Sequence, residues 1–298
     1  TPADFRRIQT AAAAENHPGF KVIIMIDKGA VTLSPCAGCN PQQTMIYLTN
    51  YVLQHYANSP AYARWNGKPV ITQFDLDLHF TLDWAAIQAA TSSNIAWVFE
   101  NKGGFTHPVT SGSYSWMNAT STQYGMDYLT GFYDAAGKAP QQMAWGAGYK
   151  GFNDTLASWS LNRVVGQQCG QTWLDTFSKL NSYYNSSNQI AALQLVTWND
   201  YEEGTEIESG IDNCLTVNAT SAGSSLQWKV TGNESTVDHY AVYFTADGQN
   251  LFELTSVPAG VHSVNLGSFG VSSGNLLVEA VGKASIKNQM SGLVKFGN

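Results

Sequence analysis

The chain has 298 residues, 44% of them hydrophobic but only 12% Asp, Glu, Lys or Arg, and a net charge of -7. Its few lysines and arginines exclude a nucleic acid or an anionic membrane as partner, because both need concentrated positive charge. No apolar run approaches the ~20 residues of a membrane span, the length allows one large domain or a medium one with a small companion, and a surface that is polar through uncharged groups is common outside cells.

Thr1 is preceded by no basic and apolar leader, so any signal peptide has been removed or was never included. Ala3 to Glu15 read as a helix. Strands are expected at Phe20 to Asp27, Lys68 to Asp75, Ile95 to Asn101, Gln141 to Gly146 and Ile190 to Trp198. Helices are expected at Gln43 to His55, Trp84 to Ala90, Gln123 to Ala136 and Thr172 to Tyr184. This alternation is the pattern of βα units around a parallel sheet. A helix ahead of the first visible strand makes the chain read as N-terminally incomplete, since a closed barrel wants eight strands; a missing segment or a second chain would complete it.

The four cysteines form an even set, which fits two disulfides in an oxidising compartment, Cys36 with Cys39 and Cys169 with Cys214. The alternative for Cys36-Ala37-Gly38-Cys39 is a redox pair at a helix N-terminus, but the Ser-Pro before it and the Asn-Pro after it look like loop. After Cys214 the texture changes. Ser225 to Val230, His239 to Thr245, Leu251 to Val257, His262 to Leu266, Leu276 to Val281 and Leu293 to Phe296 read as short strands of a fibronectin-like β-sandwich, dividing the chain into residues 1-214 and 215-298. Eight of nine tryptophans precede that boundary. Aromatic platforms suit sugars, so the distribution places the function in the first part, although a single Trp is more often packing.

Gly146-Ala147-Gly148-Tyr149-Lys150-Gly151 spells the glycine pattern of a dinucleotide site, which requires a helix to begin at the motif. Phe152-Asn153-Asp154-Thr155 instead continues as loop. Asp75, Asp77 and His79 alternate as metal ligands on an extended strand would, yet no second histidine cluster completes a set, so no metal or other cofactor is expected. No Ser or Cys sits in a nucleophile-elbow setting. Asn118, Asn153, Asn185, Asn218 and Asn233 head glycosylation sequons, which a chain this rich in Asn, Ser and Thr produces by chance.

Thr197 to Glu208 closes an apolar strand with an indole, an amide and a cluster of carboxylates. Asp200 and Glu203 stand just beyond the C-terminal end of a parallel strand, where barrel enzymes place catalytic groups. Glycoside hydrolysis needs one carboxylic acid for the leaving oxygen and one carboxylate to activate water or attack. The plainer alternative is that these acids cap a helix or pair with Arg163 or Lys150. Trp198 offers a flat apolar face to a sugar ring and Asn199 a hydrogen bond to a hydroxyl. Glu203 needs a raised pKa to donate a proton near neutrality, and Asp200 as a like charge pushes it that way. Glu202, Glu206 and Glu208 read as solvated rim.

Gly19-Phe20-Lys21-Val22-Ile23-Ile24-Met25-Ile26-Asp27, Lys68-Pro69-Val70-Ile71-Thr72-Gln73-Phe74-Asp75, Gly112-Ser113-Tyr114-Ser115-Trp116 and Thr197-Trp198-Asn199-Asp200-Tyr201 with Glu203 resemble, in that order, the fungal α-1,3-glucanases, or mutanases. Relatives of that family include the endo-α-mannosidase-like barrels, whose corresponding segment reads Trp-Asn-Glu-x-x-Glu-Gly. The resemblance spans roughly residues 3 to 210. It implies a (β/α)₈ TIM-type barrel and inversion of configuration, with Asp200 as general base, Glu203 as general acid, and Asp27 and Asp75 lining the sugar site. Trp145, Trp198, Asn199 and Tyr201 complete the candidate substrate contacts. Glu202 replaces the family's usual glycine, and Gly204-Thr205-Glu206 leans towards the mannosidase-like side. The expectation is therefore a secreted glycoside hydrolase acting on an α-glucan polysaccharide or oligosaccharide. Its alternatives are an endo-α-mannosidase-like hydrolase and a non-catalytic extracellular carbohydrate-binding or surface-assembly protein on a degenerate barrel.

Overall fold

The computed structural model describes residues 16–17 and 19–297; the helix expected over Ala3 to Glu15 lies outside them. The chain divides into two compact units. The first holds the residues up to Trp116 with Tyr128–Ala147 and Ser182–Gln194, and the second holds Met117–Asp127, Gly148–Asn181 and Leu195 onward.

Strands β1 (Ile24–Asp27), β2 (Lys68–Phe74), β3 (Ala96–Glu100), β4 (Thr110–Tyr114), β5 (Met143–Tyr149) and β6 (Ala192–Val196) lie side by side in that order in one sheet. The six strands run parallel as part of a barrel, and among the described residues none pairs β6 back to β1. Helices α1 (Lys28–Leu33), α2 (Pro41–His55), α3 (Trp84–Ala90) and α4 (Met126–Gly137) fall between strands, and α5 (Gln171–Asn181) belongs to the second unit.

Alternation along the strands gives the sheet buried residues on both faces in the first unit. Ile26, Ile71, Trp97 and Phe99 pack with Met45 and Val52 of α2 and Trp84 and Ile87 of α3. Val70, Ala96, Val98, Tyr114 and Met143 fill the other face, with Phe74, Trp116 and Trp145 partly buried against them. The helices start where capping chemistry is strong. Asn40 and Gln43 form a reciprocal capping box ahead of Pro41, and Asp83 accepts the N–H of Ala86.

Among the six parallel strands and the α-helices, two elements are absent from the sequence expectations. Strand β4, Thr-Ser-Gly-Ser-Tyr, has no apolar alternation; its place is set by packing, since a Cβ at Gly112 would collide with the Met143 carbonyl of β5. Helix α1 has only six residues and carries one buried side chain, Val31, too little for a periodic signal. The glycine motif lies on β5 and the turn after it, and the next α-helix begins only at Gln171.

In the second unit, β7 (Thr216–Ala222), β8 (Ser225–Thr231) and β11 (Ser263–Asn265) form one antiparallel sheet, while β9 (Val237–Thr245), β10 (Phe252–Pro258), β12 (Gly274–Gly282), β13 (Gln289–Met290) and β14 (Val294–Phe296) form another. They share a core of Val217, Leu226, Trp228, Tyr240, Val242 and Val278, which makes a sandwich. The same unit contains α5 and the segment after β6. Trp173 of α5 packs with Ile207, Ile211 and Ile286, and its indole N–H donates to the Ala284 carbonyl at 3.0 Å. The Cys169–Cys214 disulfide closes a span of 45 residues here, and Cys36–Cys39 staples the loop before α2 in the first unit. No helix among the described residues is long and apolar enough to cross a membrane.

Candidate acid centres

The expected strand from Ile190 to Trp198 shortens to β6, ending at Val196, and the acidic run beyond it is a loop held by its own backbone. Thr197 N–H donates to the Thr205 carbonyl at 3.0 Å, Thr205 N–H to the Asp200 carbonyl at 3.1 Å, and Ile207 N–H to the Trp198 carbonyl at 3.0 Å. Asp200 has a structural duty as well as a charge, for its Oδ1 accepts the Glu203 N–H at 2.9 Å. The Asn153 N–H donates to the Glu203 carbonyl at 2.7 Å, fixing the loop to the segment after β5.

Burial, and after it the charge of Asp200, push the Glu203 carboxyl up to about 7, with Arg163 opposing. Arg163 is itself engaged. Its Nε donates to Asp154 Oδ2 at 2.7 Å and its N–H to Oδ1 at 2.8 Å, and the guanidinium lies over the rings of Phe152 and Trp159. The Asp154 side chain is sealed from solvent, which opposes ionisation, yet these donors hold it below the usual carboxylate range. Lys150 pairs with Glu206 at 2.6 Å, both nearly buried, so Glu206 belongs to the packing rather than to the rim. Trp198 and Tyr201 are 64% and 55% exposed, leaving broad aromatic faces open to solvent; Asn199 is exposed between them. The Tyr201 hydroxyl donates to Glu208 at 2.6 Å.

The first unit gathers acids at the C-terminal ends of three neighbouring parallel strands: Asp27 closes β1, Asp75 follows β2 and Glu100 closes β3. Asp27 caps α1, its Oδ1 accepting the Ala30 N–H at 2.6 Å. Asp75 takes the left-handed backbone region at φ 58° and donates its N–H to Glu100 Oε2 at 2.9 Å. Its own Oδ2 meets His79 Nε2 at 3.0 Å and Lys28 Nζ at 3.8 Å. Asp77 accepts from the Trp84 indole at 3.3 Å and meets His107 Nε2 at 3.0 Å; burial opposes its ionisation, but these partners hold it lower than usual. His107 stacks on Phe99 with ring centres 3.9 Å apart. A cleft of about 380 Å³ opens here, lined by Gln73, Asp75, Asp77, Glu100, Asn101 and His107 among others.

Burial first, then the charges of Asp75 and Asp77, raise Glu100 to about 7. Glu100 was not among the expected site residues. Its signal was a carboxyl closing an apolar strand, the same position as Asp27 and Asp75, but the flanking residues of Ile95 to Asn101 match no motif. Of the expected contacts, Asp27 and Asp75 fall in the first unit with Trp145, whose half-buried ring packs with Val70, Val98 and Tyr114. Asp200, Glu203, Trp198, Asn199 and Tyr201 fall in the second. No protein-family model matches the chain, and no curated protein does.

Proposed function

We propose that the protein is a secreted glycoside hydrolase of the α-1,3-glucanase type, on a barrel whose full count is eight strands, in which Glu203 is the general acid and Asp200 the general base. The observation that carries this reading is the Glu203 carboxyl, raised to about 7 by burial with Asp200 as a charged neighbour. A carboxylic acid that keeps its proton near neutrality beside a second carboxylate is what protonation of a glycosidic oxygen requires. In the cycle, Glu203 gives its proton to the leaving oxygen while Asp200 takes one from the attacking water, so the pair exchanges roles in charge and is restored by one net proton transfer through solvent. The exposed faces of Trp198 and Tyr201 supply apolar surface to the sugar C–H groups, and Asn199 supplies a hydroxyl partner. The two disulfides suit an oxidising, extracellular setting.

One observation favours a second reading, a non-catalytic carbohydrate-binding protein: Asp200 Oδ1 is committed to the Glu203 N–H as a turn cap. Release of reducing ends from α-1,3-glucan, with α-mannan in parallel, separates the two. Turnover that disappears in both Asp200→Asn and Glu203→Gln supports the hydrolase; turnover untouched by either substitution removes the acid pair, and binding without turnover selects the second reading.

A further inference from the structure

Five Asn-x-Ser/Thr sequons arise by chance in a chain of this composition, but chance does not decide where the fold puts them. Asn153, Asn185 and Asn218 are exposed, whereas Asn118 and Asn233 are half-buried. In the first exposed sequon, Asn153 Oδ1 accepts the Thr155 N–H at 3.0 Å and its hydroxyl at 2.7 Å, an Asx turn that leaves the amide nitrogen over. Asn185 does likewise in the turn ahead of β6, its Oδ1 taking the Ser187 and Asn188 N–H groups at 2.9 and 3.1 Å. Asn218 stands on the polar face of β7, next to Val217 buried on the other face. The amide nitrogens of these three have no hydrogen-bond partner among the described residues.

Asn233 differs. Its Nδ2 donates to Gln171 Oε1 at 2.8 Å, the same oxygen that takes the Ser235 hydroxyl at 2.8 Å, and its Oδ1 accepts the Ser235 N–H at 3.2 Å. A sugar on that nitrogen would stand against α5 and displace Gln171. Asn118 forms an Asx turn with Thr120, but it lies half-buried beside the buried Met117. An N-linked glycan is bulky and hydrated and belongs on open surface, so half-burial counts against both positions.

We propose that Asn153, Asn185 and Asn218 are N-glycosylation sites and that Asn118 and Asn233 stay bare in the folded protein. The co-reactant is an oligosaccharide joined through its anomeric carbon to a lipid diphosphate. Asn Nδ2 forms a bond to that carbon as the C–O bond to the diphosphate breaks. The diphosphate leaves with the bonding pair, and one amide proton passes to a base. The proposal rests on the secreted setting of the proposed function and not on its acid pair. On Asn218 the glycan has a further effect: among the described residues β7 pairs with β8 alone, so its other edge is open to strand addition, which a glycan beside it obstructs.

The test is to secrete the chain from yeast behind the host's signal peptide and release the glycans with an amidase in heavy-oxygen water. Each occupied Asn becomes a labelled Asp, and peptide mass spectrometry of the monomer fraction maps it, with amidase-free protein as the deamidation background. Chain retained in the cell is mapped in the same way after limited proteolysis has removed unfolded protein. Label is expected at Asn153, Asn185 and Asn218 and at neither Asn118 nor Asn233. An exposed site without label overturns the proposal, as does label at Asn118 or Asn233 in folded monomer. Asn218→Gln, which loses one glycan, should melt as wild type and aggregate several-fold faster; an unchanged rate overturns the shielding of β7. The hydrolase reading stands or falls on turnover, which this mapping does not use.

Discussion

Glu100 and Glu203 hold their protons to about the same pH for the same leading reason, burial, and differ in nearly everything else. Glu100 ends a strand of the parallel sheet, receives the Asp75 N–H and faces two carboxylates. Glu203 sits on a loop, faces the carboxylates of Asp200 and Asp154, and has Arg163 pulling the other way. A carboxyl balanced between a like charge and a cation responds readily when a neighbouring charge changes, which suits a group that must lose and regain a proton each turnover. A carboxyl surrounded by acids keeps its proton and suits a fixed hydrogen-bond donor. What separates the two environments is the cation beside Glu203, since burial leads at both and each faces two carboxylates.

Removing the acidic proton of Glu203 should cost the most. Glu203→Gln should lower turnover of α-1,3-glucan by roughly 10³-fold, in line with general acid catalysis, while Glu100→Gln leaves the rate at saturating substrate within about tenfold. Rates measured across pH sharpen the point. The acid works protonated, so wild-type turnover should decline as pH rises past about 7, the value at which Glu203 ionises. A rate that instead climbs through that range would reverse the assignment of acid and base.

Next come the supports of the two centres. The disulfide Cys169–Cys214 spans 45 residues in the unit that holds Glu203. Its replacement by Cys169→Ser with Cys214→Ser should cost roughly 4 kcal/mol on loop-closure grounds, against about 1–2 kcal/mol for the three-residue span of Cys36–Cys39. Lys150→Met should cost about 3–5 kcal/mol by stranding Glu206, and adding Glu206→Leu should recover most of it. Urea denaturation measures both. A Lys150→Met protein as stable as wild type would mean that Glu206 finds solvent instead.

Glu100 should also mark the stability curve. Its folded value, about 7, stands above the ordinary 4.5, so its contribution is fully present below about pH 4.5 and is lost as pH rises through about 7. The loss amounts to roughly 3 kcal/mol. In Glu203→Gln protein, which lacks the other carboxyl raised to about 7, Glu100→Gln should flatten that fall in the denaturation midpoint between pH 5 and 8, and a slope that persists would place the titrating group elsewhere.

Most of the parallel framework was legible because its strands are apolar runs: β2, β3 and β5 were expected within two or three residues at each end. The sandwich was legible from turn spacing, apart from β13, which has only two residues, and β7, whose Thr-Val-Asn-Ala-Thr-Ser-Ala is too polar to stand out. Strand β4 and helix α1 were not legible, one being placed by a glycine fitted against a neighbouring carbonyl and the other being too short for periodicity. At the acid centres, Asp200 beside Glu203 could be read from spacing alone. Glu100 could not, because what distinguishes it is the company of Asp75 and Asp77, which the sheet brings from another strand end. Lys150 was named as a candidate partner for Asp200 or Glu203, but that it takes Glu206 could not be read, because a partner 56 residues away leaves no local trace.

The smallest effect tests whether an expected sugar contact is only a cap. Asp27 accepts the Ala30 N–H at 2.6 Å, and Gly29 lies close enough that a Cβ there would sit 3.5 Å from both carboxylate oxygens. Asp27→Ala should therefore cost about 1 kcal/mol of stability, and Asp27→Asn, which keeps an acceptor of the same reach, close to nothing. Affinity for nigerotriose, the α-1,3-linked glucose trimer, distinguishes the roles, since a cap acts through α1 and a contact acts on the sugar. If Asn restores stability and affinity together, the cap explains both. If Asn restores stability but leaves affinity several-fold low, the charge of Asp27 touches the ligand directly.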